Sequence, residues 1–205
     1  MKKSEYELLR YIGIPNRVRT FLRTSKISND AVDDSWFFYG PPGTGKTIKA
    51  ASILAATFFN KIHTPTALEM VNPTSLLYMG ESSPKFTKHF VFARVPDMLA
   101  RFKKTFKQDS EEDEGELIDL YSKAKLLVLD DIGVELATNW AYLMLYLIVD
   151  NRYNDMLPTI FTSNLDLKEL GRHFVDERLI SRIMEMCTKD RIQKMNGCDY
   201  RMEGF

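Results

Sequence analysis

The residues with the clearest chemical meaning are Gly40-Pro41-Pro42-Gly43-Thr44-Gly45-Lys46-Thr47, which satisfy the spacing G-x-x-x-x-G-K-[ST]. Glycines at those positions let the backbone curl until successive N–H groups point inward at phosphate oxygens, and the helix that follows adds the positive end of its dipole. Lys46 then reaches the β and γ phosphates of a nucleotide. Thr47 offers a hydroxyl to Mg²⁺, a cation that takes hard oxygen ligands. The alternative is a Gly/Pro turn followed by an unrelated helix.

A second chemical landmark is Leu126-Leu127-Val128-Leu129-Asp130-Asp131. Four apolar residues predict a strand buried on both faces, and the two carboxylates emerge at its C-terminal end, where open α/β sheets place their ligands. Asp130 is expected to hold Mg²⁺, directly or through water, and Asp131 to orient or activate an attacking water. Two buried acids without a cation would be costly. A third polar strand end is Asn164, after Pro158 to Ser163; an Asn there can hydrogen-bond the water or the γ phosphate, or simply form a turn before Leu165-Asp166. Asp176 to Met184 reads as a helix with apolar positions 179, 180, 183 and 184, which leaves Arg178 and Arg182 together on the other face.

These side chains need a scaffold, and the intervening sequence supplies one. Ser35 to Tyr39 reads as a short buried strand leading into the phosphate loop, and Ile48 to Ile62 as an Ala-rich helix after it. His89 to Val95 reads as another strand, with Pro96 opening a helix. On that helix Met98, Leu99, Phe102 and Phe106 share one arc, while Arg101, Lys103, Lys104 and Lys107 occupy the opposite one. Such a cationic face could track a phosphate backbone or could be an ordinary solvated surface. Leu117 to Lys123 reads as a short helix, and Trp140 to Val149 as a helix apolar almost all round and therefore central. Residues 61–88, with Pro65, Pro73 and Pro84, read as a long surface excursion. Residues 1–34 form a short basic segment ahead of the domain at 35–205, and within it Tyr11 to Pro15 sits where an apolar wall for adenine could form.

Composition bounds the class. A chain of 205 residues with 44% hydrophobic residues suits one α/β domain with a full core. Lys plus Arg and Asp plus Glu both number 28, so no global field attracts nucleic acid and any DNA contact must come from local patches. Cys187 and Cys198 suggest neither a disulfide framework nor a metal site, which fits a reducing cytoplasm. The longest apolar run is about half a membrane span, so no membrane association is expected.

Taken together the motifs resemble the AAA+ ATPases of the bacterial helicase-loader group, DnaC and DnaI, and the related transposition helper IstB. The resemblance runs from about Trp36 to the C-terminus. It rests on GPPGTGKT, on Leu126 to Glu135 (LLVLDDIGVE), on Thr162 to Leu170 (TSNLDLKEL) and on Asp176 to Ile183 (DERLISRI). It implies a three-layer αβα P-loop fold with a parallel five-stranded sheet of order 5-1-4-3-2 and no full C-terminal lid domain. Lys46 and Thr47 become Walker A, Asp130 and Asp131 Walker B, and Asn164 the sensor-1 residue. Arg182 matches an arginine that acts on ATP held by a neighbouring subunit, with Arg178 in the same interface. Arg201 falls in a segment similar to the one that supplies the sensor-2 arginine. The resemblance also gives the basic helix of Arg101, Lys103, Lys104 and Lys107 a role in binding single-stranded DNA.

The expected activity is therefore ATP hydrolysis coupled to remodelling of a replicative helicase on single-stranded DNA, by copies that assemble with ATP and DNA. A transposase helper would instead favour duplex DNA and a transposase partner. Helicase loaders usually carry a separate N-terminal domain, whereas only 34 residues precede the first predicted strand here. Outside this family, a nucleotide or small-molecule kinase would need a second acceptor pocket and an Arg-rich lid, and the sequence offers neither. A non-hydrolysing adaptor switched by ATP is a further reading, because Asp131 is one methylene shorter than the Glu often found at that position.

Overall fold

A computed structural model describes residues 3–24, 33–62, 89–106, 112–133, 138–174 and 176–197. Of the expected excursion at 61–88, residues 61 and 62 end a helix and 63–88 lie outside the described residues, as do Lys107, Glu135, Cys198 and Arg201. Five parallel strands build the centre: β1 (Trp36–Tyr39), β2 (Phe90–Arg94), β3 (Leu126–Ile132), β4 (Thr159–Ser163) and β5 (Ile192–Lys194). Their order across the sheet is β2-β3-β4-β1-β5, the same as the expected 5-1-4-3-2 read from the other edge.

Alternation along the strands divides the core into two layers, because successive side chains point to opposite faces. Phe38, Phe90, Phe92, Leu126, Val128 and Ile160 join α1 (Lys3–Tyr11), α2 (Asn16–Thr24) and α3 (Lys46–Ile62) on one face. Phe37, Ala93, Leu127, Leu129 and Phe161 face the other way. They pack against α4 (Val95–Thr105), α5 (Glu114–Ser122), α6 (Asn139–Asn154), α7 (Leu167–His173) and α8 (Arg178–Met186). The central strands are covered on both sides, which is why their sequences are continuously apolar rather than alternating.

The N-terminal segment is part of this packing. Leu9, Ile12, Ile14, Val18 and Leu22 are buried in the same cluster as the sheet, and Phe92 N on the edge strand donates to Ile12 O at 2.7 Å. Local signals place the other helices. Asp113 caps α5 by accepting from the N–H groups of Gly115 and Glu116, Thr138 caps α6 by accepting from Ala141 N, and Asp166 and Glu169 form a reciprocal capping box on α7.

Four expectations about helix faces need correction. Phe106 follows the last residue of α4 and is 59% exposed, so it leaves the apolar arc that Met98, Leu99 and Phe102 keep buried. Met184 on α8 is likewise exposed, beside buried Leu179, Ile180 and Ile183. The α6 helix is not central, since Leu143 is 47% exposed and the helix lies in an outer layer. Arg101 is not on the open face with Lys103 and Lys104: its guanidinium is half-buried, forks onto the Glu112 carboxylate and reaches Tyr121 Oη at 3.4 Å. Glu112 of the acidic run neutralises it.

Arg152 of α6 is a buried charge that sequence periodicity did not flag. It is fully buried and donates to Thr159 Oγ1 and to the carbonyls of Tyr121, Ser122, Ala124 and Pro158. Burial lowers its pKa to about 9, so it remains charged near neutrality and ties the end of α5 to the start of β4.

Candidate nucleotide site

The phosphate loop leaves β1 at Tyr39 and enters α3 at Lys46. Gly43 and Gly45 have φ of 83° and 87°, values that allow the loop to curl back on itself. Gly40 has φ of 138°, and a Cβ there would lie 2.3 Å from the carbonyl oxygen of Met195, so the first loop residue tolerates no side chain against β5. The loop is braced from within: Thr44 Oγ1 donates to Pro41 O at 2.9 Å, and Lys46 Nζ donates to Gly40 O and Pro41 O, both at 2.7 Å. Lys46 is 5% exposed, so its ammonium is held at the loop rather than in solvent.

Opposite the loop stands the end of β3. Asp130 is 1% exposed, and burial raises the pKa of its carboxyl, opposed by hydrogen bonds from Thr162 and Thr47. Thr162 of β4 donates to Asp130 Oδ1 at 2.7 Å and accepts from Asp131 N at 3.0 Å. One hydroxyl thus fixes both acids. Asp131 takes φ of 62°, where the β3–β4 register shifts between Leu129 and Ile132. The irregularity turns consecutive carboxylates toward different places: Asp130 stays buried, and the Asp131 side chain is about one-third exposed.

Loop and acids line a single cleft of about 600 Å³, large enough for a nucleotide. Gly43, Gly45, Lys46, Thr47, Asp130, Asp131 and Asn164 border it, so the residues expected to act together at the sheet edge do meet. The apolar wall is placed differently from the expectation. Ile12 and Ile14 are buried in the core, and the apolar lining consists of Pro15, of Val18 and Phe21 of α2, and of Ile48. Two cations that sequence reasoning missed also border the cleft, Arg17 of α2 and Arg94 at the end of β2. Arg94 lies opposite Asp130 in the β2–β3 register, a placement legible only once the strand order is known.

The donor set fits a magnesium nucleotide. The curled loop presents backbone N–H groups and an ammonium, while Thr47 and the desolvated Asp130 carboxylate sit together beside it. Among the described residues no three His, Cys, Asp or Glu side chains converge on a metal position. A divalent ion here would therefore take most of its oxygens from phosphates and water, as Mg²⁺ commonly does.

Arg178 and Arg182 stand away from this cleft on α8, engaged by their own chain. Arg182 Nε donates to Asp150 Oδ1 at 2.9 Å and its guanidinium carbon lies 4.3 Å from the centre of the Tyr153 ring. Arg178 Nε donates to Asp176 Oδ2 at 2.6 Å, and its guanidinium stacks on Tyr146 at 5.2 Å. On α4, Lys103 and Lys104 are exposed, and Lys103 Nζ is 5.6 Å from the centre of the Trp140 ring, which also meets Phe106 edge-on. No helix among the described residues is long and apolar enough to cross a membrane.

Comparison with known proteins places the chain by sequence family and by fold. The family model described as IstB-like ATP binding protein matches residues 77–203. The replicative helicase loader DnaC of Escherichia coli strain K12 is 29% identical over 149 residues, which is 73% of this chain and 49% of that protein. The chain thus spans about half the length of that relative. The helicase loader DnaI of Bacillus subtilis strain 168 is 28% identical over 99 residues, 44% of this chain and 31% of DnaI. A crystal structure of DnaI superimposes with a TM-score of 0.58 at 18% identity, covering 97% of this chain and 99% of that one. The DnaC helicase loader gives 0.54 at 20% identity over 95% and 98%, and AMPPCP-bound DnaA from Aquifex aeolicus 0.53 at 16% over 95% and 51%. These likenesses identify the fold as the AAA+ type of P-loop sandwich.

Proposed function

Because the chain belongs to the IstB-like ATP-binding protein family, we propose that it is an ATPase that acts on a replicative helicase and single-stranded DNA. The observation that carries this reading is the single cleft in which the phosphate loop, Asp130, Asp131 and Asn164 converge at the C-terminal ends of β1, β3 and β4. The similarity to DnaC and DnaI supports the choice of helicase as partner.

In the proposed mechanism the loop N–H groups and Lys46 bind the β and γ phosphates; Thr47 and Asp130 would hold Mg²⁺, which would supply positive charge to offset that of the phosphates. Asp131 orients the water and receives its proton as the new oxygen–phosphorus bond forms and the β–γ bridge breaks, leaving ADP and phosphate. Asn164 hydrogen-bonds the water or the γ phosphate. Arg182 of a second copy, with Arg178 beside it, reaches the γ phosphate across an interface formed with ATP and DNA. Lys103 and Lys104 contact the DNA backbone.

Turnover tests this reading. Wild type should release phosphate from ATP, faster with single-stranded DNA, whereas Asp131→Asn should bind ATP normally and release none. A wild-type protein that binds ATP without hydrolysing it would be an ATP-switched adaptor instead. A transposase-helper reading draws on the family match over residues 77–203. Preference for duplex DNA and co-purification with a transposase rather than a helicase would favour it.

A further inference from the structure

The cleft contains a cation that none of the nucleotide-binding motifs includes. Arg94 ends the edge strand β2, in register with Asp130 of β3, and borders the same cleft as Lys46, Thr47 and Asp131. Its Nη2 lies 4.0 Å from Asp131 Oδ2, and its Nη1 donates to Asp97 Oδ2 at 3.2 Å. We propose that Arg94 is a nucleotide-contacting residue of this chain's own site, supplying a guanidinium to the terminal phosphate of bound ATP. The inference rests on the reading of the cleft as an ATP site and assigns to the terminal phosphate a cation besides the loop lysine.

Three observations carry it. The first is charge: apart from Arg94, the cleft is bordered by Lys46 and Arg17 against Asp130 and Asp131, a formally neutral set. Arg94 makes the set cationic, as a triphosphate with one divalent ion requires. The second is place. Arg94 adjoins Asp131, the carboxylate positioned for the hydrolytic water, and so stands at the end of the cleft where the terminal phosphate belongs rather than at the apolar wall of Pro15, Val18 and Phe21. The third is freedom to act. The Arg94 side chain is 45% exposed, and its carboxylate partners are 68% exposed for Asp97 and 32% for Asp131. Ion pairs this open contribute little and exchange readily, whereas a guanidinium fork matches phosphate oxygens two at a time. An ordinary exposed pair with Asp97, three residues away, explains one of the two contacts but not the position facing Asp131.

Binding constants for ATP and ADP, measured by calorimetry with Mg²⁺ present, test the proposal on Arg94→Ala, Arg94→Lys and Lys46→Ala. Arg94→Ala should weaken ATP by about ten- to a hundredfold, the scale of one lost charge-assisted contact, and leave ADP within about twofold. Arg94→Lys should fall between it and wild type, because the charge remains and the fork is lost. Its melting temperature should match wild type, since the side chain sits at an exposed strand end. Equal loss of ATP and ADP, or unchanged ATP affinity with altered turnover, would overturn the proposal, the latter by showing that Arg94 acts only through Asp131. If Lys46→Ala binds ATP as wild type does, the cleft itself has been misread, an outcome separate from either.

Discussion

Replacing Thr162 by Val keeps the shape of a fully buried side chain and removes the one hydroxyl that holds both acids of β3. The lost bond to the Asp130 carboxylate is worth about 1.5–3 kcal/mol, and the orphaned Asp131 N–H about 1–3 kcal/mol. Neighbouring contributions do not add fully, so the expected loss is about 3–4 kcal/mol. In a domain of this size each kcal/mol moves the midpoint by about 2–4 °C, which places the Thr162→Val melt roughly 6–16 °C below wild type. The deficit should also depend on pH. Burial raises the folded-state pKa of Asp130, so its favourable contribution is present at low pH and is lost as pH rises through that value. Without Thr162 the carboxylate is harder to bear, and the deficit should be larger near neutrality than on the acid side. Thermal melts by circular dichroism at both pH values, with Thr162→Ser as the variant that keeps the hydroxyl, decide the matter. A Thr162→Val melt indistinguishable from wild type, or equal losses for Ser and Val, would refute the account of how the two acids are fixed.

Combining Lys103→Ala with Lys104→Ala should weaken single-stranded DNA binding and flatten the slope of log K against log salt by about 0.7 for each lost phosphate contact, while ATP binding is spared; an unchanged slope returns α4 to a solvated surface. Arg182→Ala should bind ATP and fail to hydrolyse it, by a factor on the order of 10³ if it acts in trans like other arginine fingers, and mixing it with Lys46→Ala should restore turnover, whereas a dead mixture that still assembles by light scattering would remove the trans role. Arg152→Met leaves the carbonyls of Tyr121, Ser122, Ala124 and Pro158 without their donor and should cost about 3–5 kcal/mol by urea melt, a loss below about 1 kcal/mol contradicting its role as a tie. Cys187, buried with its thiol pushed up to about 12, should resist a thiol reagent near pH 8 until the protein unfolds, tested in a Cys198→Ser background; fast labelling of the native protein would show that α8 opens.

Much of the sheet was legible because burial on both faces imposes continuous apolar runs. The runs Ser35 to Tyr39, Leu126 to Asp131 and Pro158 to Asn164 contain β1, β3 and β4 to within a residue at each end. The phosphate loop and the two carboxylates were legible for a different reason, since close phosphate approach demands glycines and a cation demands buried acids. Contacts between distant segments were not. Glu112 captures Arg101, and Arg94 reaches Asp131 only because β2 lies beside β3. Thr162 looked like an ordinary strand residue, and its role depends on the irregular backbone at Asp131. Helical periodicity assigned Phe106 and Met184 to apolar arcs, but a helix end and an outer surface left both exposed.

The central claim is that residues 40–47 and the acids of β3 form one magnesium-nucleotide site. Titrating ATP into wild type and Lys46→Ala with Mg²⁺ present tests it most directly. Lys46 is the cation built into the loop, held by Gly40 O and Pro41 O. Wild type should bind ATP in the micromolar range, about −8 kcal/mol, and Lys46→Ala should show no saturable binding at a hundred times that concentration. Equal affinity of the two proteins for ATP, with both folded, would contradict the account.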